Sequence, residues 1–174
     1  APLRVGILAS RGIDACVALI GACWAGAAYV PIGLKLPEER ILTLLSLCNL
    51  SAIIADEEGA KLLTDRLLDA CPPIVIHAGQ PAACPRNDSV RLIAMASLPP
   101  VTPEEPAFMA AHESAYIIFT SGTTGVPKGV VIPTAAVRHY VLMIADQLGL
   151  QPSDRALETC ELGFDFSVHN MFST

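Results

Sequence analysis

Short β-branched runs alternate with helical patterns along most of this chain, and that alternation restricts the fold more than any other feature. Arg4–Ala9 reads as a strand, and an apolar helix follows from Asp14 to about Ala25. Ala28–Ile32 is the next strand. Pro37, Glu38 and Glu39 open a second helix, with acids facing the positive end of its dipole. Ile41, Leu44, Leu45 and Cys48 then recur at i, i+3, i+4 and i+7, the spacing of one helical face. Ala52–Ala55 predicts a strand, Ala60–Ala70 a helix stopped by Pro72 and Pro73, and Ile74–His77 a strand. Residues 78–89 read as loop, Leu92–Met95 as a strand, and 99–106 as a proline-rich connector. Further on, Gly129–Ile132 predicts a strand and Thr134 an N-cap. Val137, Val141, Ile144 and Leu148 form an apolar stripe that Gly149 and Pro152 end, and Leu157–Cys160 predicts a last strand. The expected fold class is α/β, a largely parallel sheet flanked by helices, in one domain.

Composition excludes several function classes. Eleven basic residues against 17 acidic ones give a net charge of −6. With no basic stripe, nucleic acid is not the expected partner. Residues 13–32 approach the length of a membrane span, but Asp14 lies inside and Pro31 ends the run, so no membrane role follows. Six cysteines occur with no Cys-x-x-Cys pair and no histidine at zinc-ligand spacing. They read as reduced, buried thiols of a cytoplasmic protein, with no metal held by side chains.

The stretch that carries chemistry is 116–129, Tyr-Ile-Ile-Phe-Thr-Ser-Gly-Thr-Thr-Gly-Val-Pro-Lys-Gly. A β-branched and aromatic strand, Tyr116 to Phe119, breaks into hydroxyls and glycines. Thr120, Ser121, Thr123 and Thr124 offer hydroxyl donors. Gly122, Gly125 and Gly129 let backbone N–H groups turn toward one point. Lys128 adds a compact positive charge. It is not a Walker A loop, because Pro127 precedes the lysine and Gly129 follows it. The composition fits a polyphosphate cradle or a Gly/Thr-rich surface hairpin.

The order Thr-Ser-Gly-Thr-Thr-Gly-x-Pro-Lys-Gly resembles the phosphate-loop motif of the adenylate-forming (ANL) superfamily. Ala25–Ile32, Ala-Gly-Ala-Ala-Tyr-Val-Pro-Ile, resembles an upstream motif of its amino-acid-activating members. Phe164-Asp165-Phe166-Ser167-Val168 resembles their downstream Phe-Asp-x-Ser-Val motif. The resemblance spans residues 1–174 as a partial AMP-binding (adenylation) domain. It implies a subdomain of the large N-terminal domain of an adenylate-forming enzyme, from a nonribosomal peptide synthetase or a stand-alone D-alanine-ligase-like amino acid:carrier-protein ligase.

That resemblance implies a two-step reaction. ATP, with Mg2+, converts an amino acid to an aminoacyl-adenylate and pyrophosphate, and the aminoacyl group then passes to phosphopantetheine on a peptidyl or acyl carrier protein. It implies Thr120, Ser121, Gly122, Thr123, Thr124, Gly125 and Lys128 as nucleotide contacts, with Thr120 and Lys128 acting in catalysis. Asp165 would hold the substrate ammonium, or alternatively serve as a helix-cap or turn aspartate. Phe166 and His169 would line the side-chain pocket, though His169 also fits a partly exposed helix position. A buried setting is expected for Asp165, between Phe164 and Phe166. Thr134, Phe119, Trp24 and Gly33-Leu34 depart from commoner His, Tyr, Lys and Asp-Pro. The later adenine and ribose motifs, the hinge and the C-terminal lysine domain do not occur. The chain alone is therefore expected to be inactive, with the remaining parts of the adenylation domain as its partners. An acyl- or aryl-CoA synthetase fragment, or a non-catalytic nucleotide-binding or interaction module, are the competing expectations.

Overall fold

The computed structural model describes residues 3–79, 89–100, 102, 104–120, 125–157 and 159–173. Its strands are β1 (Arg4–Leu8), β2 (Ala28–Pro31), β3 (Ala52–Ala55), β4 (Ile74–His77), β5 (Arg91–Ala94), β6 (Ser114–Thr120) and β7 (Lys128–Pro133). They form one sheet in the order β5-β4-β3-β1-β2-β6-β7. Every pairing is parallel except the β6–β7 hairpin. The helices are α1 (Ile13–Trp24), α2 (Glu38–Cys48), α3 (Glu57–Lys61), α4 (Asp65–Ala70), α5 (Thr134–Leu148) and α6 (Phe166–Ser173).

Two cores cover the two faces of the sheet. Ile7 and Leu8 are neighbours in β1, yet they enter different cores because successive strand residues point to opposite faces. Leu8 joins Ile41, Leu44 and Leu45 of α2 and Leu67 and Leu68 of α4. Ile7 joins Ala18 and Leu19 of α1, Tyr29, Tyr116, and Val168 of α6. The 3.6-residue periodicity read from Ile41 to Cys48 is thus the buried stripe of α2, and all four of its residues are buried. Asn49 then ends that helix in the left-handed region, at φ 48°.

The structure departs from the sequence reading in four places. The helix expected over 60–70 is two short ones. Asp56 accepts from the Gly59 amide to cap α3, and the Thr64 hydroxyl accepts from the Leu67 amide to start α4 anew. Thr134 is the first residue of α5 and not its N-cap; Pro133 takes that place, and the Thr134 hydroxyl donates to the Glu113 carbonyl. The stripe on α5 is only half covered, for Val137 meets the core while Leu148 is exposed. Leu157 and Cys160 lie in no strand. The carbonyls there accept side-chain donors, Asn170 Nδ2 at Leu157 and Arg11 Nη1 at Thr159, where a ladder partner would be needed.

Among the described residues, Cys16, Cys23, Cys48, Cys71 and Cys160 form no disulfide, and Cys48 is buried. Burial pushes the Cys23 and Cys48 thiols up to about 11 and Cys71 up to about 12, so each stays protonated near neutrality. No helix among the described residues is long and apolar enough to cross a membrane.

α3 sits against the end of β1. Its capping residue Asp56 accepts from the Ser10 amide at 2.7 Å, the Ser10 hydroxyl at 2.6 Å and the Gly59 amide at 2.7 Å. A Cβ on Gly59 would overlap the Leu8 carbonyl oxygen, which is backbone and cannot swing aside. Gly59→Ala is expected to cost roughly 2–4 kcal/mol through the forced separation of α3 from β1. Urea unfolding measures it, and a midpoint equal to the parent's would show that α3 does not dock there.

Candidate active site

The antiparallel register sets Thr120 opposite Lys128, Ile118 opposite Val130 and Tyr116 opposite Ile132. Directly opposed residues share a face, so Thr120 and Lys128 project from the hairpin on the same side as Tyr116 and Ile118. That register joins the two ends of the hydroxyl- and glycine-rich loop. Gly125, near its exit, has φ +81°, a left-handed conformation that glycine adopts without a Cβ penalty.

A cavity of about 530 Å³ opens beyond the carboxyl ends of β2 and β6. In open α/β sheets this is where ligands bind. Pro31 at the end of β2 and Gly33 and Leu36 just after it line one side, and Tyr116, Ile118 and Thr120 line it along β6. Glu161, Gly163, Phe164 and Asp165 form the facing wall. Burial raises the Tyr116 phenol above its ordinary value, and the nearby Asp165 charge and Tyr140 add to the rise.

The structure therefore brings Thr120 and Asp165 to one cavity, with Lys128 beside Thr120. Ser121, Gly122, Thr123 and Thr124 lie outside the described residues. Asp165 is exposed, contrary to its expected burial, and so are Phe164 and Phe166. The reason is its position at the mouth of the cavity, one residue before α6. Phe166 and His169 face elsewhere, and neither lines this cavity. Their rings lie 5.5 Å apart, and His169 Nδ1 shares a 3.0 Å hydrogen bond with the Tyr140 hydroxyl of α5.

Three contributors escaped the sequence reading. Tyr116 was read only as a strand residue. Arg40 Nη1 donates to the Gly125 carbonyl at 2.8 Å. Lys35 Nζ meets Glu161 Oε1 at 2.7 Å, joining the two walls at the rim. Both polar contacts link residues far apart in the chain, so no local periodicity signals them. Among the described residues, no group of three or more His, Cys, Asp or Glu side chains could hold a metal ion.

With this arrangement in view, comparison with known proteins gives a consistent answer. Residues 3–174 match the AMP-binding enzyme family. Pyochelin synthetase PchF of Pseudomonas aeruginosa is 35% identical over 169 residues, covering 97% of this chain and 8% of the synthetase. The crystal structure of IdnL7 superimposes with TM-score 0.76 at 27% identity, over 98% of this chain and 33% of that one. The nonribosomal peptide synthetase FmoA3, in its alpha-methyl-L-serine-AMP bound form, gives TM-score 0.66 at 25% identity, over 98% and 16%. The chain belongs to the AMP-binding enzyme family and is homologous to the adenylation domains of nonribosomal peptide synthetases. It spans less than a tenth of the length of the synthetase PchF.

The Lys35–Glu161 pair yields a test with a definite sign. The hydrogen bond from Lys35 lowers the Glu161 carboxyl below its ordinary value. Its contribution is therefore present above the ordinary glutamate range and lost as pH falls through the lowered value. Lys35→Met should return Glu161 toward the ordinary range in a carbon-13 NMR titration. Because the pair is exposed, stability should change by less than about 1 kcal/mol. An unmoved Glu161 would mean that the ion pair does not form in solution.

Proposed function

We propose that this chain is the nucleotide- and amino-acid-contacting part of an adenylation domain. An amino acid and MgATP are its substrates. The substrate carboxylate oxygen attacks the α-phosphorus, the bond from that phosphorus to the bridging oxygen breaks, and the electron pair leaves with pyrophosphate. Carrier-protein phosphopantetheine then accepts the aminoacyl group at its thiol, releasing AMP. The observation that carries this reading is the meeting of Thr120 and Asp165 at one cavity at the carboxyl ends of parallel strands, with Lys128 paired opposite Thr120.

The physical task is charge control. A carboxylate and a triphosphate repel, and pyrophosphate leaves with added negative charge. Thr120, Ser121, Gly122, Thr123, Thr124 and Gly125 supply hydroxyl and backbone donors at that end, and Lys128 supplies positive charge. Asp165 takes the α-ammonium, which orients the carboxylate toward the α-phosphorus. Its exposure leaves the carboxylate free to accept a cation. Phe166 and His169 are assigned to the amino-acid side of the site through their place on α6, next to Asp165.

Ile13, Val17, Ile20 and Trp24 leave an exposed apolar stripe along one face of α1. We assign it to contact with the remaining parts of the adenylation domain. The alternative of a fatty-acid or aryl substrate is disfavoured by Asp165, since such acids bring no ammonium to pair with it.

ATP–pyrophosphate exchange by the natural full-length protein tests the reading. Asp165→Ala should lower kcat/KM for the amino acid roughly a hundredfold, as expected for a lost charge-paired contact. Its ATP dependence should hold. Exchange that is supported by fatty acids alone, or untouched by Asp165→Ala, would sink the amino-acid assignment.

A further inference from the structure

Arg40 belongs to α2, yet its guanidinium reaches the loop between β6 and β7. Nη1 donates to the Gly125 carbonyl at 2.8 Å across 85 residues of sequence. We propose that Arg40 is a positioning residue for the pyrophosphate end of ATP, acting through the Gly125 carbonyl. The inference rests on the nucleotide reading of the loop given above.

The root of Arg40 is fixed. Its own amide donates to the Pro37 carbonyl at 2.8 Å, and the next residue, Ile41, is buried in the α2 core. Its charge is left whole. The neighbouring acids are turned to other partners: Glu38 accepts from Thr64 and Arg66, and Glu39 accepts from Arg66. Among the described residues Arg40 has no carboxylate partner.

What the bond does follows from peptide geometry. Gly125 sits at φ +81°, where its peptide can turn easily. A carbonyl oxygen facing a phosphate repels it, whereas an amide N–H attracts it. The C=O and N–H of a trans peptide point in opposite directions. By holding the Gly125 carbonyl, Arg40 sends the Val126 N–H the other way and presents a donor on the side away from α2. The charge also stands at the same end of the loop as Lys128, which begins β7. A guanidinium suits this better than an ammonium because its planar fork fixes the direction of the bond.

Calorimetric titration of the natural full-length protein with MgATP, and separately with AMP, tests this. AMP lacks the β- and γ-phosphates, so it reports on general damage. Arg40→Met should weaken MgATP binding roughly ten- to a hundredfold, the equivalent of one charge-assisted hydrogen bond, and leave AMP binding within about twofold. Arg40→Lys should recover part of the loss. Equal weakening of both nucleotides, or of neither, would overturn the inference. Should Arg40→Met fail to fold by circular dichroism, Arg40→Lys decides: selective loss for MgATP supports the role, and parent-like binding of both ends it. Lys128→Ala separates the two levels. If it leaves MgATP binding unchanged, the nucleotide reading itself falls; if it weakens binding while Arg40→Met does not, only the role of Arg40 falls.

Discussion

Tyr29 holds the two parts of this molecule together. It pairs with Tyr116 where β2 meets β6, and the two rings stack with centroids 5.3 Å apart. Phe172 of α6 stacks on its other contact at 6.4 Å. One buried side chain therefore ties the β6–β7 hairpin, which bears Thr120 and Lys128, to the helix that follows Asp165. Both are tied in turn to the parallel strands around β1. Such aromatic pairs contribute about 0.5–1.5 kcal/mol each beyond simple burial. Against that stands a cost, since the Tyr29 hydroxyl is buried with no hydrogen-bond partner in the structure. Burial raises the Tyr29 phenol far above its usual range, so it remains neutral. The stacking and the apolar burial of a whole ring offset a lone unsatisfied hydroxyl.

Local pattern explains why so much of the architecture was legible. The runs Ala52–Ala55 and Ile74–His77 were strands as read, and Ile41 to Cys48 was a buried helical face, because each signal is complete within a few residues. The failures have a common physical cause. Residues 60–70 look like one helix, but the Thr64 hydroxyl has a tertiary partner in Glu38 and a local one in the Leu67 amide, and together they restart the chain. The run around Leu157 and Cys160 has strand composition, but neither of these residues joins a ladder. Its neighbours Arg11 and Asn170 satisfy its carbonyls from the side. Asp165 was expected to be buried because two phenylalanines flank it. Flanking residues in a turn do not share an environment, and both of those rings are exposed. Arg40 stayed invisible because its contact depends on where a distant glycine places its carbonyl.

A chain with net charge −6 is an unpromising host for a polyphosphate if charge is counted globally. Charge acts locally here, because at physiological ionic strength exposed charges are screened beyond about 8 Å. What matters is which cations are already neutralised. Glu58 occupies Lys61, Glu161 occupies Lys35, and Glu38 and Glu39 together occupy Arg66. Arg40 and Lys128 have no such partner among the described residues, and both stand at the exit of the same loop, Arg40 through Gly125 and Lys128 at the start of β7. Positive charge without a carboxylate partner is thus left at that loop, where the proposed leaving group would form. At the other wall the free group is the carboxylate of Asp165. In the proposed reading the ammonium of an amino acid pairs with Asp165, a partner that fatty and aryl acids lack, while the loop cations serve the leaving pyrophosphate. The proposed preference for an amino acid therefore rests on the negative charge of Asp165 at the cavity, before any side-chain pocket is considered.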